Sequence, residues 1–193
     1  MEFKPPKLID NLFSDDLYNS LVKDLSSKAI SHGDNKTMPG RFLLDTDQSD
    51  VLQEAYDSLL TTARTIFESK TLLPSYALFA HYETIDGVVP RLKKHKDTNA
   101  CTYTLDMCVY QTEPWELYVD DQPYTIYPNQ ALAYYGEAQE HWRNDFPELS
   151  SGPIGMAFFF FVEPDHWFYT KGSDYVEVIN GTMTEEQWVA SHK

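Results

Sequence analysis

The sequence predicts a single β-rich domain, a sandwich or barrel with helices packed against one face. Three observations lead there. Two amphipathic helical patterns occupy the first 73 residues, and from Pro74 onward short runs rich in Tyr, Phe, Val and Thr alternate with Gly, Pro, Asn and Asp. The run IGMAFFFFV from Ile154 is apolar at nearly every position. Aromatic and β-branched runs between turn formers read as strands, and many strands after two helices suit a sheet with helical cover on one side. A length of 193 residues with 42% hydrophobic content is enough for one core. One domain over residues 1–193 is expected, with 1–73 as helical support, 74–170 as the β core and 171–193 as a tail.

In chain order, Ser14 followed by Asp15 and Asp16 caps a helix whose buried stripe is Leu17, Leu21 and Leu25. From Leu52, apolar residues recur as Ala55, Tyr56, Leu59, Leu60, Ala63, Ile66 and Phe67. That spacing places them on one stripe of a second helix. Strands are expected near 76–82, 101–110, 115–119, 123–127, 131–135, 139–143 and 154–162, the last central and buried on both faces. Thr184, with Glu185 and Glu186 behind it, opens a short terminal helix.

Thirty acidic against fifteen basic residues leave a net charge of −15, which opposes phosphate backbones and anionic membrane surfaces. Neither nucleic acid nor a membrane is an expected partner. The basic cluster Arg91, Lys93, Lys94 and Lys96 reads as a solvated loop. The opening MEFKPPKLIDNLF lacks a signal-peptide core, and no stretch reaches membrane-span length, so a cytoplasmic protein is expected. Cys101 and Cys108, seven apart on one strand, point to opposite faces and do not bridge, which suits a reducing compartment. Neither belongs to a CxxC or Cys/His cluster.

Three pairs place a carboxylate two residues after a histidine: His32 and Asp34, His81 and Glu83, His95 and Asp97. The first lies among turn formers with no strand to hold it. The second shares a strand face with Ala77 and Phe79 and reads as a hydrogen-bonded core or edge histidine, held as a reserve pair. His95 and Asp97 precede a long strand in an extended segment, where residues two apart point the same way. His141, several short strands later, is the best third ligand. Two imidazoles and one carboxylate on one face of an octahedron leave three positions for a bidentate cosubstrate and oxygen, the requirement of non-haem iron(II). Zinc with the same ligands and a water is the chemical alternative.

The segment KLIDNLFSDDLYNSLVKDL resembles the opening of prolyl-4-hydroxylase-like 2-oxoglutarate and iron(II)-dependent oxygenases, where a short strand leads into a capped helix. HKDTNACTYTLDMCVY resembles their metal-binding strand and the one after it, and YPNQALAYYGEAQEHWRNDF resembles the return strand of a microbial and phage branch. The likeness runs from residue 7 to residue 162. It implies a double-stranded β-helix (a cupin-like jelly roll), Fe(II) and 2-oxoglutarate as cofactors, and His95, Asp97 and His141 as ligands. It implies hydroxylation of an amino-acid side chain, peptidyl proline included, in a small-molecule or peptide substrate. The family carries a basic residue on the strand after the distal histidine, to hold the far carboxylate of 2-oxoglutarate. Here residues 154–162 contain none. Arg143, two beyond His141, faces the same interior on a continuing strand and is the chosen anchor; a structural pairing with Asp145 or Glu137 stays open. Tyr82 is the expected supporting hydroxyl. Trp115, Trp142 and Trp167 either line a substrate mouth or pack in the core. A non-catalytic jelly-roll module and a cupin-type metal enzyme without 2-oxoglutarate are the alternative functions.

Overall fold

The computed structural model describes residues 4–28, 40–98, 100–147 and 152–192. In chain order its elements are β1 (Lys7–Ile9), α1 (Asp15–Lys28), β2 (Arg41–Asp45), α2 (Asp50–Ser58), α3 (Leu60–Ile66), β3 (Leu73–Tyr82), β4 (Leu92–His95) and β5 (Tyr103–Gln111). There follow β6 (Leu117–Val119), β7 (Gln122–Tyr124), β8 (Ala131–Tyr134), β9 (His141–Arg143), β10 (Ile154–Val162), α4 (Trp167–Thr170), α5 (Val176–Ile179) and α6 (Glu185–Ser191). The strands form two antiparallel sheets, ordered β1-β8-β5-β10-β3-β2 and β4-β9-β6-β7. This is a double-stranded β-helix.

β10 lies between β3 and β5, and its alternation explains its composition. Ala157, Phe159 and Phe161 join Leu21 and Leu25 of α1 and Leu52 of α2 in one cluster on the outer face of the large sheet. Ile154 and Met156 join Trp115, Leu117 and Val119 in a second cluster between the sheets. With an apolar layer on each face, the strand is apolar at nearly every position.

All seven expected strands are present, several of them shorter than expected. β2 and β4 were not anticipated. β2 follows Gly40, whose φ of +74° favours glycine and where a Cβ would come within 2.5 Å of the Glu83 carbonyl oxygen. β4 carries Lys93 and Lys94 of the basic cluster expected as a solvated loop, with Arg91 and Lys96 flanking it; among the described residues β4 pairs with β9 alone, and lysines on such an edge discourage pairing with another chain. The single helix expected from Leu52 is divided into α2 and α3. The Leu59 N–H reaches back only three residues to the Tyr56 carbonyl, and the Ser58 hydroxyl bonds to the Ala55 carbonyl, which tightens the turn. The stripe survives the break: Leu52, Ala55, Tyr56, Leu59 and Ala63 are all buried.

Cys108 lies on β5, but Cys101 precedes that strand; both thiols are buried and the two are not joined in a disulfide. α6 begins at a capping box between Thr184 and Gln187. Among the described residues no helix is long and apolar enough to cross a membrane. His32 and Asp34 lie outside the described residues.

Candidate metal centre and adjoining cavity

The centre forms where β4 meets β9. Leu92 stands opposite Arg143 and His95 opposite His141, so the four residues of β4 span the three of β9. This bulge turns both Leu92 and His95 toward the interior, which an unbroken strand could not do at a spacing of three. The two imidazole rings lie 4.3 Å apart, centre to centre. Asp97 follows the end of β4, and its N–H donates to the Gly136 carbonyl at 2.9 Å. Nε2 of His95 and Nε2 of His141 each lie 3.5 Å from Asp97 Oδ1. One ligand atom from each of these three residues lies within 4.8 Å of the others.

Hydrogen bonds fix which nitrogen faces the centre. His95 Nδ1 lies 2.8 Å from the Lys93 carbonyl and 3.1 Å from that of His141, and His141 Nδ1 lies 3.0 Å from the Gln139 carbonyl. Carbonyls only accept, so each Nδ1 keeps a proton and each Nε2 is the nitrogen that faces Asp97: it donates to the carboxylate while the ring is charged and offers its lone pair to a metal once the ring is neutral. Burial raises the Asp97 carboxyl, but hydrogen bonds and charge from His141 and then His95 outweigh it and hold the group at about 2. For His141, burial lowers and Asp97 raises, and the imidazole ends above its ordinary range. With both rings neutral, two Nε2 lone pairs and a carboxylate converge on one point, the donor set that a cation requires.

A cavity of about 150 Å³ adjoins the three residues. Leu78, Leu92 and Phe158 form apolar wall, and Arg41, Tyr82, Asp106 and Tyr134 supply its polar groups. Tyr82 is buried and hydrogen-bonded to the Arg41 side chain. The Tyr134 hydroxyl donates to Asp106 Oδ2 at 3.2 Å, while Asp106 Oδ1 is buried with no hydrogen-bond partner. Burial pushes the Asp106 carboxyl up to about 7, against the opposing charges of Arg143 and His141.

Arg143 is buried but is not one of the residues lining this cavity. Its Nη1 donates to the Trp115 carbonyl, its guanidinium lies 5.0 Å from the Trp115 ring centre, and Nη2 has no hydrogen-bond partner. The pairing with Asp145 or Glu137 left open by the sequence is not found among the described residues. Glu137 instead accepts from the Thr102 hydroxyl at 2.8 Å and lies 3.5 Å from His166 Nε2.

The reserve pair points to the other face of the large sheet. His81 Nδ1 lies 2.8 Å from the Tyr110 hydroxyl and the ring contacts Phe42, while burial lowers its pKa. Trp115 is in the core between the sheets. Trp142 stacks on Tyr118 with Lys94 over its ring, and Trp167 is half-buried beside His166. None of the three lines the cavity. Sequence reasoning missed Asp106 and Arg41. Asp106 had a signal, a single acid inside the apolar run TLDMCVY; Arg41 had none, because its strand was not recognised.

No family model matches the sequence, and no curated protein matches it. Solved structures do. The non-heme alpha-ketoglutarate-dependent epimerase SnoN from nogalamycin biosynthesis aligns over 82% of this chain and 78% of its own, at 7% identity and a TM-score of 0.67. A Pseudomonas putida prolyl-4-hydroxylase aligns over 82% and 92%, at 11% identity and a TM-score of 0.62. The chain has the fold of the 2-oxoglutarate and iron(II)-dependent oxygenases. HygX from Streptomyces hygroscopicus, solved with nickel and 2-oxoglutarate bound, shares this oxygenase fold over 83% of both chains, at 11% identity and a TM-score of 0.62. The oxygenase fold was the expectation drawn from the three sequence segments, and the topology agrees with it.

Proposed function

We propose that this chain is a non-haem iron(II) dioxygenase that couples decarboxylation of 2-oxoglutarate to oxidation of a second substrate. The supporting observation is the pair of imidazole Nε2 atoms and the ionised Asp97 carboxylate gathered at one point beside a small polar cavity. His95, Asp97 and His141 would hold the metal through one face. Bound there, iron and 2-oxoglutarate would supply the oxygen activation that no protein side chain provides.

The protein's own residues orient and shield. Backbone carbonyls at Lys93 and Gln139 keep both imidazoles in the ligating tautomer, and such outer contacts tune metal affinity. Tyr82 and Arg143 form the polar, cationic side of the cosubstrate site, the hydroxyl from the wall and the guanidinium from behind it. Asp106 does not repel a dianion while it keeps its proton. Leu78, Leu92 and Phe158 exclude water.

At about 150 Å³, the cavity falls below the roughly 300–1,000 Å³ of sites for drug-sized ligands. It suits a small cosubstrate, and on this reading the second substrate binds at the mouth. Hydroxylation of an amino-acid side chain, free or in a peptide and with proline as the first candidate, is the reading we favour. It is an analogy with the prolyl hydroxylase among the structural neighbours.

The test is anaerobic addition of iron(II) and 2-oxoglutarate, followed by visible spectroscopy. A weak charge-transfer band is expected from the wild type and none from His141→Ala. Arg143→Ala should still bind iron(II) but require more 2-oxoglutarate to develop the band. A wild-type protein that shows no band, while zinc binds tightly, would overturn the oxygenase reading in favour of a metal site of another kind.

A further inference from the structure

We propose that Arg41, on the edge strand β2, is the residue that directly receives the far carboxylate of 2-oxoglutarate, with Arg143 acting from behind the wall. The proposal rests on the oxygenase reading above and assigns a positioning residue to the same cavity. In the register of β2 on β3, Arg41 stands opposite Tyr82. Directly paired residues project from the same face of a sheet, so Arg41 shares the inward face with Tyr82. Both line the cavity and are hydrogen-bonded to each other. Leu43, two residues on and opposite Ala80, packs against the cluster between the sheets, which keeps this face of β2 turned inward.

Arg143 is placed differently. It does not line the cavity, and its guanidinium is engaged with the carbonyl and the ring of Trp115. Its buried neighbour Asp106 does line the cavity, so the charge of Arg143 is felt there together with an acid that offsets it when ionised. A guanidinium in the wall beside a phenol matches a carboxylate, which can accept from both at once. Position in the fold reinforces this. β10, the strand expected to carry the anchor, presents Met156 and Phe158 on its inner side, and β2 adds the cation from two strands away.

The discriminating experiment uses the metal-loaded full chain without oxygen and two ligands, 2-oxoglutarate and 2-oxobutyrate. Both chelate through the keto acid; only the first has a far carboxylate. Titrated by the charge-transfer band, Arg41→Gln should weaken 2-oxoglutarate at least about tenfold, equivalent to about 1.4 kcal/mol. Binding of 2-oxobutyrate should stay within about twofold, because the lost contact is one this ligand never makes. Arg41→Lys should fall between wild type and Gln, and it keeps the test open should the Gln variant fail to fold. If both ligands weaken equally, or if neither does, the assignment is overturned. A wild-type protein with no band for either ligand would remove the oxygenase reading and the assignment with it, an outcome distinct from a normal wild type with an unaffected variant.

Discussion

At the residue scale, two positions carry consequences that differ from those of the metal ligands themselves. Gly136 needs no unusual backbone angle, but a Cβ there would lie 2.4 Å from Asp97 Oδ2 and 2.6 Å from Thr104 Oγ1. Gly136→Ala must push the carboxylate away from the two imidazoles, and a loss of metal affinity of at least about tenfold is expected by titration, in the range seen for disrupted outer contacts. Wild-type affinity in that variant would show that Asp97 is not held as described. Asp106 governs stability against pH. Its folded-state value of about 7 lies above the roughly 3.9 of an unperturbed Asp. Below pH of about 4 the group is protonated in both states and contributes its full stabilisation. Between about 4 and 7 the unfolded chain releases the proton and the folded one keeps it, so stability falls as pH rises, levelling off above 7. Asp106→Asn removes this slope. In urea unfolding at pH 5 and pH 8, the variant should gain on the wild type at the higher pH, by up to a few kcal/mol. A difference that does not change between the two pH values would contradict the buried-acid description.

At the element scale, β10 is the member on which both packing layers depend. Phe159 is fully buried, lies edge-on to Phe13 of the segment before α1 and stacks on Tyr56 of α2, tying the helices to the sheet. Phe159→Ala should cost about 3–5 kcal/mol, as large-to-small changes of a buried aromatic do, read as a lowered denaturant midpoint. A cost below 1 kcal/mol would mean that the helical layer is not seated on this strand. The β4–β9 ladder has the opposite character. It is short, one-sided and bulged, and it orients side chains more than it stabilises the sheet. The bulge brings two inward residues, Leu92 and His95, to an odd spacing that simple alternation forbids. That conflict between period and placement is why β4 was not legible as a strand: LKKH offers one apolar residue and no alternation.

At the scale of the whole molecule, metal and fold should be linked. A cation that binds only the folded chain stabilises it by about 2.7 kcal/mol at a hundred times its dissociation constant. For a domain of this size that corresponds to a rise of about 5–10 °C in Tm. Iron(II) or nickel(II) should raise the wild-type Tm by this amount, a chelator should reverse it, and His141→Ala should abolish it. No shift at saturating metal would mean that the three side chains do not hold the ion in the folded chain. The charge of −15 acts at the same scale. It leaves the cationic groups Arg41 and Arg143 inside the barrel as local exceptions, shielded from a surface that would repel an anionic cosubstrate in solution.

By itself the sequence determined what local periodicity and residue chemistry can encode. The central strand from Ile154 to Val162, the apolar stripe of the helices, and the carboxylate two residues after His95 were all readable, and the three quoted segments pointed to the jelly roll. The tertiary structure alone decided what depends on register between distant strands. Arg41 stands opposite Tyr82, His95 opposite His141, and Asp106 shares a cavity with all of them. The physical reason is that side-chain direction follows from a strand's own alternation, whereas the neighbours it meets follow from which strands pair and at what offset. That offset is set by the packing of the whole sheet.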